Sequence, residues 1–206
     1  PHLGQPEEAL AAGLAQVELD AWTQMGNDHR AFTFKDLVER ASGAVGADVG
    51  EILLDELTDD YLASWVPHIE HDPDAAAVLA TLRIHGIRTG LLSNTHWPAD
   101  FHEQMLERDG LAHLLDARVY TSDLEFAKPH PEAFQAALDA VGVTDPARAV
   151  YVGDRLFDDI FGAQRVGMRA VHRPNPDVPD YDVIPDATID RLTELLDVVR
   201  EWNETS

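Results

Sequence analysis

An acidic cluster follows the apolar run at residues 149–152, which Gly153 ends. The acids are Asp154, Asp158 and Asp159, and apolar residues at helical spacing separate them. A short apolar run that ends at glycine is typical of a buried parallel strand, and open α/β sheets bind ligands where such strands end. Carboxylates this close repel one another unless a hard cation such as Mg²⁺ lies among them. The alternative is a solvated acidic turn, which is common in so acidic a chain.

A hydroxyl group stands at the end of a second apolar run. Leu91 and Leu92 lead into Ser93, Asn94 and Thr95, where a strand is expected to give way to a loop. The Ser93 hydroxyl and free backbone N–H groups can bind an anion at such a place. The alternative is that Ser93 or Thr95 only caps or turns the chain.

A lysine that two prolines follow is the third candidate. Of the 15 basic residues only Lys35 and Lys128 are lysines, and Lys128 lies in the segment Ala127–Pro131. A lysine beside prolines in an arginine-rich chain indicates a need for one compact ammonium charge, although a surface lysine on a rigid turn is the simpler alternative. Hydroxyl, ammonium and carboxylates at successive strand ends can surround one phosphate and one Mg²⁺. Their joint occurrence favours this interpretation over the separate alternatives.

The elements that position these groups alternate between helix and strand from residue 74 onward. Short connections between them predict an α/β fold with a doubly wound, parallel, Rossmann-like sheet. The predicted strands are Ile87–Ser93, Ala117–Thr121, Ala149–Val152, Met168–His172 and an edge strand at Ala187–Ile189. The predicted helices between and after them are Asp74–His85, Phe101–Leu115, Pro131–Val141, Asp158–Val166 and Asp190–Glu201.

The first third of the chain has helical periodicity and no strand signal. Thr33 is a candidate N-cap, with Asp36 three residues later in place of the usual Glu or Gln. Gly43, Gly46 and Gly50 interrupt the pattern before a third helix begins near Ile52. Since a proline-bounded polar connector follows, we expect a small helical cap domain over residues 1–68 and an α/β core over residues 69–206.

Composition excludes several classes of partner and site. The net charge of -23 repels nucleic acid and anionic membranes, so neither is an expected partner. The absence of cysteine excludes disulfides, thiolate metal sites and a cysteine nucleophile. No apolar run is long enough to span a membrane and no signal segment opens the chain, so we expect a cytoplasmic protein, either a monomer or a homodimer.

The chain resembles the haloacid dehalogenase-like hydrolases over almost its whole length. Leu91–Thr95 (LLSNT) is similar to the second motif of that family, and Lys128 in AKPHPEAF is similar to the third. Gly153–Ala163 (GDRLFDDIFGA) is similar to the fourth, with Asp158 where asparagine is common. The helical region matches the inserted cap of the family.

The resemblance implies a role for each motif residue. Ser93 would bind the transferred phosphoryl group with help from the Asn94 backbone, and Thr95 and His96 would follow at the substrate. Lys128 would neutralise the nucleophile and the phosphate. The metal ligands would be Asp154, as the main ligand, and Asp159, as support for the metal shell. Phosphoryl transfer depends mainly on positioning and charge stabilisation, which suits these groups.

The first motif of the family, a strand that ends in Asp-x-Asp and carries the nucleophile, has no match here. Nothing before Glu7 could form that strand, and the string Ile52–Leu57 lies in the helical region without the second acid, so we reject Asp55 as nucleophile. We therefore expect that the natural protein starts upstream. The family's first strand lies between those ending at Ser93 and Asp154, so a chain without it must pair these two strands directly or leave two edges exposed.

Three functions follow from these expectations. The first is a Mg²⁺-dependent phosphatase of a small phosphorylated metabolite, which acts through an aspartyl-phosphate. The second is a metal-independent haloacid dehalogenase, against which the acidic fourth motif argues. The third is an inactive binding module, which the missing first motif favours.

Overall fold

The computed structural model describes residues 7–44 and 50–204, with side chains for all of them except residues 7–11 and 51–53. Helices α1 to α3 come first, and strands begin only at residue 90. In chain order the elements are α1 (Glu7–Asp28), α2 (Phe34–Ala44), α3 (Glu51–Trp65), α4 (Ala75–Ile84), β1 (Gly90–Ser93), α5 (Ala99–Arg108), β2 (Ala117–Tyr120), α6 (Pro131–Ala140), β3 (Val150–Gly153), α7 (Gly162–Arg165), β4 (Arg169–His172), β5 (Ala187–Thr188) and α8 (Leu195–Glu204).

All strand pairs are parallel, which confirms the predicted α/β fold. The strands form two sheets, with β1 paired to β2 in one and the order β3-β4-β5 in the other. In the described part of the chain no backbone ladder joins β1 to β3. The neighbours of the expected central strand therefore do not pair directly, and the described residues leave one edge of each sheet without a ladder.

The helical region has its own apolar core. Buried side chains of α1, α2 and α3 meet there with the loop residue Phe32, in a cluster made of Ala21, Phe32, Phe34, Leu37, Val38 and Leu54. The predicted cap of α2 is confirmed, because the Thr33 N–H and hydroxyl both donate to the Asp36 carboxylate, at 2.7 and 2.8 Å. The Asp36 N–H donates back to the Thr33 hydroxyl at 3.2 Å, which completes a capping box. Gly46 lies outside the described residues.

The helical region packs against the rest of the chain at several places. Leu62 of α3 shares a buried cluster with Phe101 and Met105 of α5. The loop after α1 forms an antiparallel bridge, Arg30 with Phe126, to the segment that precedes Lys128. The domain boundary at residue 68 stays a prediction. No helix among the described residues is long and apolar enough to cross a lipid bilayer.

Three predicted helices differ from their expected bounds, and one of them, α5, runs over Ala99–Arg108 instead of Phe101–Leu115. A π-helical turn over Leu156–Phe161 replaces the start of the predicted helix at Asp158 and leads into the short α7. The last helix begins at Leu195 instead of Asp190. Strand β1 is also shorter at its amino end, since the Thr89 N–H donates to the Asp116 carboxylate at 2.8 Å and not to a neighbouring strand.

Candidate active site

The end of β1 carries one free hydroxyl. Ser93 is the last residue of the strand, and no hydrogen bond of its hydroxyl to another described residue occurs. The next side chain, Asn94, is fully engaged: its amide donates to the Lys128 carbonyl at 3.0 Å and accepts from the Lys128 N–H at 2.8 Å. Asn94 thus ties the Lys128 loop to the strand end and leaves Ser93 open to a ligand.

Thr95 turns the chain after β1. Its hydroxyl accepts from the Trp97 N–H at 3.0 Å and lies 2.8 Å from His102 Nε2, while its N–H donates to the Thr121 hydroxyl at 3.0 Å. The alternative that one of these residues only turns the chain therefore applies to Thr95 and not to Ser93. A role for Thr95 in substrate binding stays a prediction.

His96 points into the aromatic cluster beside the helical region. Its ring lies 5.5 Å from Phe32 and 5.4 Å from Trp22, centroid to centroid, and both ring nitrogens are buried without a hydrogen-bond partner. Its Nε2 is 3.7 Å from a Glu18 oxygen. Burial, with a smaller effect of the nearby His102, lowers the pKa of His96 to about 4. The ring is therefore neutral near pH 7, and its contact with substrate stays a prediction.

Lys128 is the centre of the site. Its ammonium donates to Asp159 Oδ1 at 2.6 Å and to the Tyr151 hydroxyl at 2.8 Å, and only 8% of the residue is exposed. Burial alone would lower the pKa of Lys128, but Tyr151 and the Asp159 carboxylate raise it above the ordinary range. The surface-lysine alternative is wrong, since this ammonium is buried and charged.

Asp159 holds Lys128 in place. It is 3% exposed, and its second oxygen accepts from the Arg155 N–H at 3.0 Å. A side chain at position 153 would collide with this carboxylate, which explains the glycine there. Both oxygens of Asp159 are thus occupied by protein donors, so its observed contacts position the lysine. Direct metal ligation by Asp159 stays a prediction.

Asp154 is the more available carboxylate. It directly follows β3, and in the described part of the chain only Asn175 donates to its carboxylate, to Oδ2 at 2.9 Å. Asp158 is more enclosed, and burial raises its pKa. Asp154 therefore has one carboxylate oxygen that accepts no hydrogen bond from a described residue.

Two residues at the site were not predicted from the sequence. Tyr151 bonds Lys128 and donates its hydroxyl to the Leu92 carbonyl at 3.0 Å, but in sequence it is one residue of an apolar strand. Asn175 lies in a proline-rich loop far from the motif that contains Asp154. No spacing pattern marks either one, because each reaches the site only through the tertiary fold.

Comparison with known proteins identifies the family of this chain. The family model of the haloacid dehalogenase-like hydrolases matches residues 6–167. The chain is 36% identical over 206 residues to a glyceraldehyde 3-phosphate phosphatase of Methanopyrus kandleri, an alignment that covers 95% of this chain and 84% of that protein. It is 30% identical to a phosphoserine phosphatase of Thermus thermophilus, with 91% of this chain and 72% of that protein covered.

A solved structure shows the same relationship. The 2-haloacid dehalogenase of Pseudomonas syringae pv. Tomato DC3000 superposes with a TM-score of 0.70 at 32% identity, with 97% of this chain and 84% of that one covered. The family match extends over most of the chain and includes all three strand ends that build the site. The chain belongs to the haloacid dehalogenase-like hydrolases.

Proposed function

We propose that this chain provides the phosphate- and metal-handling groups of a Mg²⁺-dependent phosphatase that acts on a small phosphate monoester through an aspartyl-phosphate. The observation that carries the proposal is the buried Lys128 ammonium, which Tyr151 and Asp159 bind while Asn94 binds the Lys128 backbone. Ser93 and Asp154 stand at the carboxyl ends of the strands that carry these contacts. Two relatives are named as phosphatases of three-carbon phosphates, which supports a substrate of that size.

The protein groups divide the work by charge. The Ser93 hydroxyl and the Asn94 N–H would donate to the phosphoryl oxygens, while the Lys128 ammonium would offset the negative charge of both phosphate and nucleophile. Because Asp159, Tyr151 and Asn94 already hold this lysine, no reorganisation is needed as charge develops in the transition state. Thr95 and His96, as predicted, would complete the substrate side.

The donor set suits a magnesium ion. Mg²⁺ prefers oxygen ligands and is usually held by one or two carboxylates, with waters and substrate phosphate as its other ligands. Asp154 offers a free carboxylate oxygen, and no group of three or more potential metal-ligating side chains occurs among the described residues. We propose Asp154 as the main ligand, with Asp159 in a supporting position. The ion would neutralise charge on the phosphate.

The attacking carboxylate is the part of the reaction that the described residues do not provide. Asp55 is exposed on α3, in the helical region, and it does not follow a strand. We propose that a strand ending in Asp-x-Asp, outside these 206 residues, supplies the nucleophile.

Turnover of p-nitrophenyl phosphate tests the proposal. With Mg²⁺ the 206-residue chain should hydrolyse it negligibly, and a version extended upstream by a strand ending in Asp-x-Asp should hydrolyse it. Asp154→Asn in the extended version should abolish turnover, whereas the loop variant Asp177→Asn should not. Robust turnover by the short chain that is lost in Asp55→Asn would overturn the proposal.

Metal binding can be measured without turnover. Calorimetry of Mg²⁺ binding to the extended version should show that Asp154→Ala removes most of the affinity and that Asp159→Ala removes less. Equal binding by Asp154→Ala would place the metal elsewhere.

A dehalogenase is the second candidate, since the solved structure of a 2-haloacid dehalogenase is 32% identical to this chain. That chemistry needs no metal. Release of chloride from 2-chloropropionate by the extended version in the presence of EDTA would favour it, and strict Mg²⁺ dependence of phosphate release would exclude it. An inactive binding module, the third candidate, predicts that the extended version also lacks both activities.

A further inference from the structure

One buried hydroxyl fixes the backbone at the turn after β1. Thr121, the residue after β2, accepts from the Thr95 N–H at 3.0 Å and donates to the Thr95 carbonyl at 3.2 Å. Thr121 is 1% exposed, so water does not compete for these bonds. Thr95 follows Ser93 and Asn94, whose donors would bind the phosphoryl group in the proposed function. A fixed Thr95 therefore restricts the positions of both donors.

The side chain of Thr95 has two hydrogen-bond contacts. Its hydroxyl oxygen accepts from the Trp97 N–H at 3.0 Å and lies 2.8 Å from His102 Nε2 of α5. Because a backbone N–H only donates, the Trp97 contact uses a lone pair of the oxygen and leaves the hydroxyl hydrogen free. Among the described residues the imidazole of His102 is the one acceptor for that hydrogen. The hydrogen bonds thus make Nε2 of His102 an acceptor, so the neutral ring carries its proton on Nδ1.

Two aromatic rings pack on the His102 imidazole and hold its orientation. The ring of Tyr120 lies 4.9 Å away, centroid to centroid, at 12° to the imidazole plane, and that of Trp97 lies 5.8 Å away at 22°. Tyr120 is itself fixed, since it is 4% exposed and its hydroxyl donates to Glu103 at 3.0 Å. Rotation of the imidazole is therefore restricted, and Nε2 stays directed at Thr95.

The surroundings of His102 favour its neutral form. The charged and titratable groups near the ring are Glu103 of the same helix, His71 of the segment before α4, His96 after β1, and Tyr120 of β2. Glu103 is paired with Arg118 at 2.7 Å, and His71 with Asp109 at 2.6 Å. Burial lowers the pKa of His102, Glu103 counteracts this effect, and His71 adds to it. A neutral imidazole is what the bond from the Thr95 hydroxyl requires.

We propose that His102 is a positioning residue of the phosphatase: its neutral imidazole accepts the Thr95 hydroxyl hydrogen and fixes the turn that presents Ser93 and Asn94 to the phosphoryl group. This role rests on the proposed function, whereas the hydrogen bond and the tautomer do not. A protonated imidazole carries hydrogen on Nε2 and cannot accept, so the Thr95 hydroxyl hydrogen is left without a partner. Acid should therefore loosen the turn.

The tautomer of His102 is measured on the unmodified 206-residue chain, without turnover. Long-range ¹H–¹⁵N NMR of the histidine rings should show the proton on Nδ1 at neutral pH, with a titration midpoint below 6.5. The signals are assigned by their loss in His102→Gln. A proton on Nε2 at neutral pH would overturn the proposal.

Two substitutions separate ring packing from hydrogen bonding. His102→Phe keeps a ring beside Trp97 and Tyr120 but cannot accept, whereas the amide oxygen of His102→Gln can accept without an aromatic ring. In the 206-residue chain the Ser93 and Asn94 amide resonances should shift in His102→Phe and stay near their parent positions in His102→Gln. Equal shifts in the two variants would mean that the ring only fills space, which contradicts the proposal.

Turnover of p-nitrophenyl phosphate by the extended version measures the effect on the reaction. Loss of one oxyanion donor typically costs about 10²–10³-fold, so displacement of the donors in His102→Phe should lower kcat/KM at least about tenfold. His102→Gln should stay within about threefold of the parent, as should His113→Gln at an exposed histidine. Equal kcat/KM in His102→Phe and the parent would overturn this inference alone.

The pH profile provides a readout that a purely structural residue would not change. The kcat/KM of the parent extended version should fall as the pH drops through the His102 pKa, which lies below 6.5. His102→Gln cannot titrate and should lose this step, while His113→Gln should keep it. An unchanged step in His102→Gln would contradict the proposal. Absence of turnover in the parent extended version, with the Nδ1 tautomer present, would overturn the proposed function and leave the hydrogen bond to Thr95 established.

Discussion

The two edges of β3 are held in different ways. Toward β4 a parallel backbone ladder runs from Val150 to Gly153. Toward β1 no ladder occurs among the described residues, and the contacts come from side chains, with Lys128 and Tyr151 as the main bridges. We call the first contact the ladder junction and the second the side-chain junction.

The difference shows in burial. Ala170 and Val171 of β4, a strand with neighbours on both sides, are 0% exposed, while every residue of β3 is partly exposed. Strands joined by a backbone ladder lie close enough for their apolar side chains to be buried against one another. The valines of β3 lie beside an edge that only side chains bridge. The side-chain junction also places the charges of the candidate active site at this edge. The backbone ladder of β3 and the charged groups of the candidate active site therefore lie on opposite edges of this strand.

The largest loss of stability is expected at the ion pair of the side-chain junction, Lys128 with Asp159. Lys128→Met would leave the Asp159 carboxylate buried without its partner, which typically costs about 3–5 kcal/mol. The free energy of unfolding from urea titration measures this loss. Lys35→Met, at the other lysine, which is exposed on α2, is the matched control and should cost less than about 0.5 kcal/mol.

A double variant shows whether the loss comes from the orphaned charge. Lys128→Met with Asp159→Leu removes both charges and should recover most of the stability, because apolar pairs of similar volume replace buried ion pairs at little cost. If the double variant is less stable than the single one, the pair itself, and not the unpaired carboxylate, stabilises the junction.

The pH dependence of stability tests the contact between His96 and the helical region. The pKa of His96 is about 4 in the folded chain and 6.5 as a free group, so the unfolded chain binds the extra proton first as the pH falls. Stability is therefore lost between pH 6.5 and about pH 4, by about 3 kcal/mol in total.

The His96 contribution is isolated by comparison of variants. Urea titrations across that pH range should give a smaller acid loss for His96→Gln than for the parent chain. His113→Gln, at an exposed histidine, should keep the parent slope. An unchanged slope in His96→Gln would mean that the ring is not the acid-sensitive group.

Truncation of matched valines compares the two edges directly. Val171→Ala in β4 should cost about 2–3 kcal/mol, since the side chain is fully buried, and Val152→Ala in β3 should cost about 1 kcal/mol. Urea unfolding measures both. Equal losses of stability would show that β3 packs as tightly as β4, the central strand of its sheet.

A smaller effect than that of the ion pair is expected from the phenol bridge. Tyr151→Phe removes the hydrogen bond that the phenol donates to the Leu92 carbonyl and the one that it accepts from the Lys128 ammonium, and it should cost about 1–2 kcal/mol, as measured by thermal and urea unfolding. Tyr181→Phe, at an exposed tyrosine, is the control and should be neutral. A loss as large as that in Lys128→Met would mean that the phenol, and not the ion pair, contributes most to the side-chain junction.

Local signals predicted the secondary structure well where they acted alone. The Thr33–Asp36 box starts α2, and Pro131 starts α6 at the predicted residue. They failed where a side chain competes for the backbone N–H groups. The Asp159 carboxylate accepts from the Arg155 N–H, and the turn that begins at Leu156 is π-helical instead of the start of a regular helix at Asp158.

The sequence by itself determined the fold class and the residue types at the strand ends, because periodicity and glycine breaks are local properties. It also placed Ser93, Lys128 and Asp154 after successive strands. Only the tertiary structure decided what each group touches: Asp159 holds Lys128, Thr95 turns the chain, and β1 and β3 stay unpaired. Contacts between residues far apart in sequence depend on how helices and strands pack, and no spacing along one chain encodes that packing.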